Sequence, residues 1–177
     1  MIVLIGESGS GKDTVQKQLV ENFGYRKIVT YTTRPPRDGE VDGVDYHFIS
    51  EKEFREKKRR NEFGETAEYR GWLYGSAIKD YAINTVIILT PSGFRKLEKS
   101  IVPFVMMSVY VRVPRRERLI RILKRGDDIE EAYRRSLSDV GMFDGIADEV
   151  DFVIDNSEKY MTPYLAAQSI NLQYTGE

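Results

Sequence analysis

A glycine-rich turn near the start of the chain limits the folds that this sequence can adopt more than any other feature. The segment from Gly6 to Thr14 reads GESGSGKDT and follows a short apolar run, Ile2 to Ile5. After the turn, apolar residues recur at helical spacing over 14–22, at Val15, Leu19 and Val20. A strand, a glycine loop and a helix in this order predict an α/β fold whose first loop can bind an anion.

Such a loop would bind phosphate through its backbone. Its glycines let consecutive N–H groups face one anion, the following helix presents its positive end, and a lysine neutralises the terminal phosphates. The residues predicted to hold a nucleoside triphosphate are Gly6, Ser8, Gly9, Ser10, Gly11, Lys12, Asp13 and Thr14. The alternative is a turn that only links strand and helix.

The position after the loop lysine departs from the strict pattern, which has Ser or Thr there as a ligand of Mg²⁺. Here Asp13 follows Lys12, and Thr14 comes one position later. We predict that Asp13 orients Mg²⁺ directly or through water, because a carboxylate is a good ligand for a hard cation. Thr14 is the second candidate metal ligand.

Strands and helices alternate along the rest of the chain. β-rich apolar runs at 85–89 and 104–113 precede predicted helices at 92–99 and 115–124, and a short strand at 152–154 precedes a C-terminal helix. This alternation predicts an α/β protein with a mostly parallel central sheet and helices on both faces, which makes three layers.

The length of 177 residues predicts one domain. We expect a core formed by 1–30, 84–120 and 145–177. An insertion at 31–83, with a helix at 51–61, would form a small subdomain. The polar, arginine-rich stretch at 121–144, which we call the lid, would cover the site.

Charge and composition exclude several classes of function. The chain has 27 Lys and Arg against 28 Asp and Glu, so the net charge of −1 predicts no general attraction to nucleic acid or to an anionic membrane. The absence of cysteine excludes disulfides and thiolate metal sites. The apolar start is too short for a signal peptide, and no run reaches membrane-spanning length. We expect a cytoplasmic protein that binds small-molecule nucleotides; the sequence does not decide its oligomeric state.

A second anion site is predicted in TTRPPRDGEVDGVDY, Thr32 to Tyr46. Arg34 and Arg37 lie three apart around two prolines that stiffen the backbone, so both guanidiniums can converge on one phosphate. Two phosphate sites on one small chain predict phosphoryl transfer between them.

These motifs resemble those of one family. TTRPPRDGEVDGVDYHF is similar to the nucleotide-monophosphate segment of guanylate kinases, and the glycine loop resembles their GPSGxGKS/T loop. The stretches EFGETAEYRGWLYGS and RLIRILKRGDDIEEAYRRSL also look like matching parts of that family. The resemblance implies the P-loop nucleoside-monophosphate-kinase fold with an acceptor-binding insertion and an arginine-rich lid. It also implies phosphorylation of GMP or dGMP by ATP with Mg²⁺.

The resemblance implies a role for each matching residue. The acceptor phosphate would be bound by Arg34, Arg37, Tyr46 and Tyr74. The guanine would be read by Thr30, Glu65 and Ser76, since a carboxylate can accept from both N1–H and the amine of guanine while adenine offers no N1–H. The transferring group would be stabilised by Lys12, Arg37, Arg121, Arg125 and Arg135, and Asn156 would lie near the adenine.

Two departures from the family pattern leave alternatives open. Where guanylate kinases usually carry Leu-Asp-Ile-Asp after the central strand, this chain has Leu89 to Ser92, LTPS, and the lid is about one residue shorter, so the role of Arg135 could fall to Arg134. One alternative function is a related kinase with another acceptor, such as ribose 1,5-bisphosphate or another deoxynucleotide. The other is a non-catalytic guanylate-kinase-like module that binds phosphorylated ligands.

Several charged residues receive no predicted function. The run REKKRR at 55–60 lies among glutamates and is expected to be a solvated helix face. Arg115, Arg116 and Arg118 open a helix and are expected to be half exposed. His47 is the only histidine, and its alternating surroundings favour a structural or surface position.

Overall fold

The structure is a computed structural model, and it describes residues 1–100, 105–126, 128–157, 159 and 161–176. The strands described there are β1 (Ile2–Ile5), β2 (Arg26–Lys27), β3 (Tyr31–Thr32), β4 (His47–Phe48), β5 (Phe63–Tyr69), β6 (Trp72–Ala77), β7 (Thr85–Leu89), β8 (Met107–Arg112) and β9 (Phe152–Asp155). The helices are α1 (Lys12–Phe23), α2 (Glu51–Arg59), α3 (Pro91–Lys99), α4 (Arg115–Lys124), α5 (Ile129–Ser138), α6 (Ile146–Glu149) and α7 (Pro163–Thr175).

The central sheet has five parallel strands in the order β2-β7-β1-β8-β9. Strand β1 lies in the middle and is buried on both faces. Its Ile2 and Leu4 belong to a core cluster that includes residues of α1 and α7, while Val3 and Ile5 belong to a second cluster that includes residues of α3. The predicted three-layer α/β fold is therefore confirmed.

A second sheet, in the order β4-β3-β6-β5, lies wholly within the predicted insertion at 31–83. Strands β5 and β6 form an antiparallel hairpin whose turn uses positive φ angles at Arg70 (56°) and Gly71 (79°). We call this four-stranded sheet the acceptor sheet. Its hairpin places Glu65, Ala67 and Tyr69 opposite Ser76, Tyr74 and Trp72.

The element boundaries differ from the sequence-based prediction in a few places. Helix α1 begins at Lys12 rather than at residue 14, after Gly11 takes a left-handed conformation. Helix α2 ends at Arg59 rather than at 61, because Asn61 has a φ of 53°. Strand β8 begins at Met107, and the predicted start at 104 lies outside the described residues. The two-residue β2, the four strands β3 to β6, and helices α5 and α6 were not predicted.

The lid stretch at 121–144 contains the end of α4 and the whole of α5. Helix α5 buries Ala132, Ser136 and the following Asp139, so one side of it lies against the rest of the molecule. In the ranges that the structure describes, no helix has both the length and the apolar character needed to cross a lipid bilayer.

Candidate active site

The site lies where the parallel strands of the central sheet end, which is the usual place for ligands in open α/β sheets. The glycine loop follows β1, Thr90 follows β7 and Asn156 follows β9. Two loop glycines have the left-handed backbone that favours this residue, Gly9 with a φ of 79° and Gly11 with 84°. A Cβ on Gly9 would lie 2.7 Å from the carbonyl oxygen of Arg118, so a side chain would push the loop off α4.

Two of the predicted site residues, Asn156 and Arg121, hold the glycine loop through its backbone. Asn156 is buried, and its Nδ2 donates to the carbonyl oxygen of Ser10 at 2.9 Å. Arg121 donates to the same carbonyl at 3.4 Å and to the carbonyl of Asn156 at 2.7 Å. Arg121 also pairs with Glu117. The amide nitrogen of Asn156 is therefore engaged with the loop, and contact with adenine stays a prediction.

Asp13 presents an ionised carboxylate at the start of α1. Its side chain is 77 % exposed, and its Oδ2 lies 3.8 Å from Nζ of Lys12. The ammonium of Lys12 lowers the pKa of Asp13, and the charges of Arg125 and Lys27 act in the same direction. Thr14 is also exposed. Asp13 can therefore offer a charged oxygen to a cation beside the phosphates.

The described part of the chain contains no group of three or more His, Cys, Asp or Glu residues that could hold a metal by itself. Proteins commonly bind Mg²⁺ through one or two carboxylates together with water and substrate phosphates. The exposed, ionised carboxylate of Asp13 is a donor of the kind that such a site uses.

Arg34 is buried and held in place by several partners. Its guanidinium donates to Glu40 Oε1 and to the carbonyl of Pro35, each at 2.8 Å, and it lies over the rings of Tyr46 and Phe48 at 5.4 and 5.7 Å. Glu40 uses its other oxygen to accept from the backbone N–H of Arg37 at 2.7 Å. Glu40 therefore holds Arg34 and Arg37 in fixed positions relative to each other, a role that was not predicted from the sequence.

Positive charge converges at Arg37. Burial lowers the pKa of Arg37, and the nearby charges of Arg135 in the lid and of Arg34 lower it further. Arg135 is half-buried, whereas its neighbour Arg134 is exposed. The structure therefore brings guanidiniums from the acceptor segment and the lid together, an arrangement that favours an anion between them.

The tyrosines of the acceptor sheet lie beside this cluster. Tyr46 and Tyr74 make an edge-to-face contact with their ring centroids 6.1 Å apart. Burial and the charge of Asp13 raise the pKa of Tyr46 to about 12, so its hydroxyl is a proton donor at neutral pH. Tyr46 therefore lies beside Arg34, and Tyr74 lies beside Tyr46. Their binding of the acceptor phosphate stays a prediction.

Glu65 is a buried carboxyl with a strongly raised pKa. It is only 5 % exposed, and burial raises its pKa to about 7. Ser76 Oγ donates to Oε1 at 2.9 Å and lies 2.6 Å from the hydroxyl of Tyr81, while Oε2 is buried and has no hydrogen-bond partner among the described residues. A buried oxygen without a partner can accept from a ligand donor. Thr30 is half-buried, and its carbonyl oxygen accepts from the backbone of His47.

The expectation that Arg118 is half exposed is wrong. Its side chain is about 10 % exposed and lies 3.2 Å from Glu7 and 3.8 Å from Asp139. It also donates to the carbonyl oxygens of Val113 and Ser8 at 3.1 and 3.4 Å. Tyr110 donates to the second oxygen of Glu7 at 3.0 Å. Helical spacing alone could not reveal this, because the acidic partners are distant in sequence.

Comparison with known proteins points to one family. The guanylate kinase family model matches residues 1–160. A guanylate kinase from Nostoc sp. is 35% identical over 167 residues, which covers 89% of this chain and 82% of that protein. One from Gloeobacter violaceus is 36% identical over 165 residues, covering 89% and 80%. The crystal structure of guanylate kinase from Anaplasma phagocytophilum matches with a TM-score of 0.74 and 26% identity, covering 99% of this chain and 84% of that one.

Proposed function

The chain belongs to the guanylate kinase family, and from that premise we propose that it transfers the γ-phosphoryl group of ATP to GMP or dGMP. The observation that carries this proposal is the arrangement of the acceptor segment, in which Glu40 holds the guanidinium of Arg34 and the backbone of Arg37 together beside Tyr46. Arg135 of the lid is near enough for its charge to lower the pKa of Arg37, and a phosphate monoester and a transferring phosphoryl group would bind beside these guanidiniums.

On the donor side, the backbone N–H groups of the glycine loop and Lys12 hold the triphosphate. Arg121 and Asn156 keep the loop carbonyl of Ser10 turned away from it. Arg125 adds positive charge near Asp13. Mg²⁺ bound with ATP would offset charge on the β- and γ-phosphates, and Asp13, with Thr14 beside it, is the side chain that would hold it.

On the acceptor side, Arg34 and Arg37 bind the phosphate of the acceptor nucleotide, with the hydroxyls of Tyr46 and Tyr74 as further donors. An acceptor oxygen then attacks the γ-phosphorus in line, and the ADP oxygen leaves. No side chain needs to act as nucleophile, so the acceleration comes from alignment and from stabilising charge on the transferring group. Arg135 closes over that group with the lid.

Glu65 selects the base. Its free Oε2 and its Ser76-bound Oε1 would accept from N1–H and the exocyclic amine of guanine. Adenine has no N1–H, so AMP would leave a buried carboxylate oxygen unpaired. Ribose 1,5-bisphosphate has no base and would leave the whole carboxyl without a ligand donor, which favours a guanine nucleotide as acceptor.

The same reading divides the chain into a core at 1–30, 84–120 and 145–177, an acceptor-binding insertion at 31–83 and a lid at 121–144. Its ligands are small-molecule nucleotides with Mg²⁺, and we place the reaction in the cytoplasm, where ATP and GMP are available.

A coupled assay of ADP formation tests the proposal with GMP, dGMP, AMP, UMP, dTMP and ribose 1,5-bisphosphate. We expect turnover with GMP or dGMP and little with the others. Arg37→Ala should reduce that turnover at least about 100-fold, because a charge-assisted contact to the phosphate is lost. Arg59→Ala, an exposed arginine on α2, is the matched control. Preference for the ribose bisphosphate, or no transfer to any acceptor, would contradict the proposal.

A further inference from the structure

A tyrosine at the end of β5 joins three separate parts of the molecule. The hydroxyl of Tyr69 donates to Oδ1 of Asp139 at 3.2 Å, just after lid helix α5. Oδ2 of Asp139 accepts from the backbone N–H of Ser8 in the glycine loop at 2.8 Å. The side chain of Ser8 lies near enough to the Tyr69 phenol to lower its pKa. Acceptor sheet, lid and glycine loop therefore meet at one carboxylate.

The position of Asp139 is unfavourable for the helix that carries it. A carboxylate directly after the last residue of α5 lies at the negative end of the helix dipole. Its side chain is only 5 % exposed, so it has lost most of its hydration. The compensating partners are Ser8 N–H, Tyr69 O–H and the guanidinium of Arg118 at 3.8 Å. Every one of them lies outside the lid helix, so the carboxylate is stabilised only when these parts are together.

Tyr69 also reaches the acceptor-phosphate side. Its ring makes an edge contact with Tyr74, with centroids 6.5 Å apart, and Tyr74 contacts Tyr46. Burial and the Asp139 carboxylate raise the pKa of Tyr69 to about 12, so its hydroxyl stays a donor throughout the physiological range. A shift of Tyr69 away from Asp139 would therefore move the side of the sheet that holds the acceptor.

We propose that Tyr69 and Asp139 are positioning residues that fix the acceptor sheet and the lid against the glycine loop, so that donor and acceptor phosphates align. This inference rests on the proposed kinase function and adds two residues that touch no reacting atom. Breaking the contact leaves both binding sites intact but populates the aligned arrangement less. Turnover should fall while the affinity for each nucleotide remains.

A double-mutant cycle tests this with Tyr69→Phe, Asp139→Asn and the double variant, each assayed for kcat and for KM of ATP and GMP. A hydrogen bond to a charged group corresponds to roughly tenfold or more, so each single variant should lose about tenfold in kcat with both KM values within about twofold. The double variant should lose clearly less than the product of the two single losses, because both changes remove the same charged hydrogen bond between Tyr69 and Asp139, while Asp139→Asn also weakens the contacts of Asp139 with Ser8 and Arg118. Tyr133→Phe, an exposed tyrosine on α5, should match the wild type.

Multiplicative losses in the double variant, or an unchanged kcat in Tyr69→Phe, would overturn the inference while the kinase function stands. Amide hydrogen exchange gives a readout that does not need turnover. Tyr69→Phe and Asp139→Asn should each speed exchange of residues 66–76 about tenfold in the full chain, and unchanged exchange would also overturn it. A wild-type protein that shows no transfer to GMP would instead contradict the proposed function.

Discussion

Replacing Glu65 by glutamine should raise the free energy of unfolding and, at the same time, lower the activity with GMP. Burial raises the pKa of Glu65 from 4.5 to about 7. The folded state therefore holds its proton at a pH where the unfolded chain has released it. The free energy of unfolding falls as pH rises from about 4.5 to 7 and stays lower above that. At about 1.4 kcal/mol per pH unit, the cost at pH 8 is about 3 kcal/mol.

Glu65→Gln removes that cost and keeps an oxygen that can accept from Ser76. We expect the variant to be more stable than the wild type by about 2–3 kcal/mol at pH 8, and nearly equal to it at pH 4. Its kcat/KM for GMP should fall about 10- to 100-fold, because guanine donors lose a charged acceptor. The wild-type value should rise with pH through about 7, and the variant should lose this dependence.

Urea denaturation at pH 4 and 8 measures the stability difference, and initial rates between pH 5.5 and 8.5 measure the activity. The second ionisation of the GMP phosphate affects both proteins and cancels in their ratio. Glu68→Gln, the same change at an exposed position of β5, is the matched control. A stability difference that is equal at both pH values, or identical pH profiles, would refute this account of Glu65.

Three further changes test other parts of the site. Lys12→Met should lower kcat at least about 100-fold with an unchanged circular dichroism spectrum, because the glycine loop loses the cation that would neutralise the triphosphate; near-normal rates would exclude Lys12 from this role. Asp13→Ala should raise the Mg²⁺ concentration for half-maximal rate several-fold, and an unchanged Mg²⁺ titration would remove Asp13 from the metal site. Arg118→Met should lower the free energy of unfolding by about 3 kcal/mol or more in urea, since Glu7 and Asp139 would stay buried without their cation. Arg116→Met, exposed on the same helix, should change it little.

The central fold could be predicted from local sequence patterns. The apolar run Ile2–Ile5 ends in glycines and continues as α1, and alternation of such units was enough to predict a parallel sheet with helices on both faces. Strand β2 was not predicted because it consists of two polar residues, Arg26 and Lys27, without an alternating pattern. It forms only because it can pair with the edge of β7. Such pairing depends on a strand more than fifty residues away, and no local signal marks it.

The site divides in the same way. Residues within one motif, such as Arg34 and Arg37, could be predicted because their spacing and stiff backbone are local properties. The network of Arg118, Asp139 and Tyr69 could not be predicted from the sequence. Each residue belongs to a different part of the chain, and each has a polar side chain that is common on protein surfaces. Its position on a helix led us to expect that Arg118 is half exposed. In the structure, ion pairs with Glu7 and Asp139 keep its side chain buried.

The missing acidic pair after β7 acquires a physical meaning from its surroundings. Thr90 caps α3, accepting from the backbone N–H of Gly93 at 3.2 Å. Oε2 of Glu65 lies 3.0 Å, and Oγ1 of Thr90 3.4 Å, from the point that a Cβ on Gly93 would occupy. Both oxygens lie beside Gly93, so a carboxylate at position 90 would add like charge near Glu65 and raise the pKa of Glu65 still further. Threonine keeps the cap without adding charge, which leaves Glu65 able to ionise near pH 7 and to act as the guanine acceptor by itself.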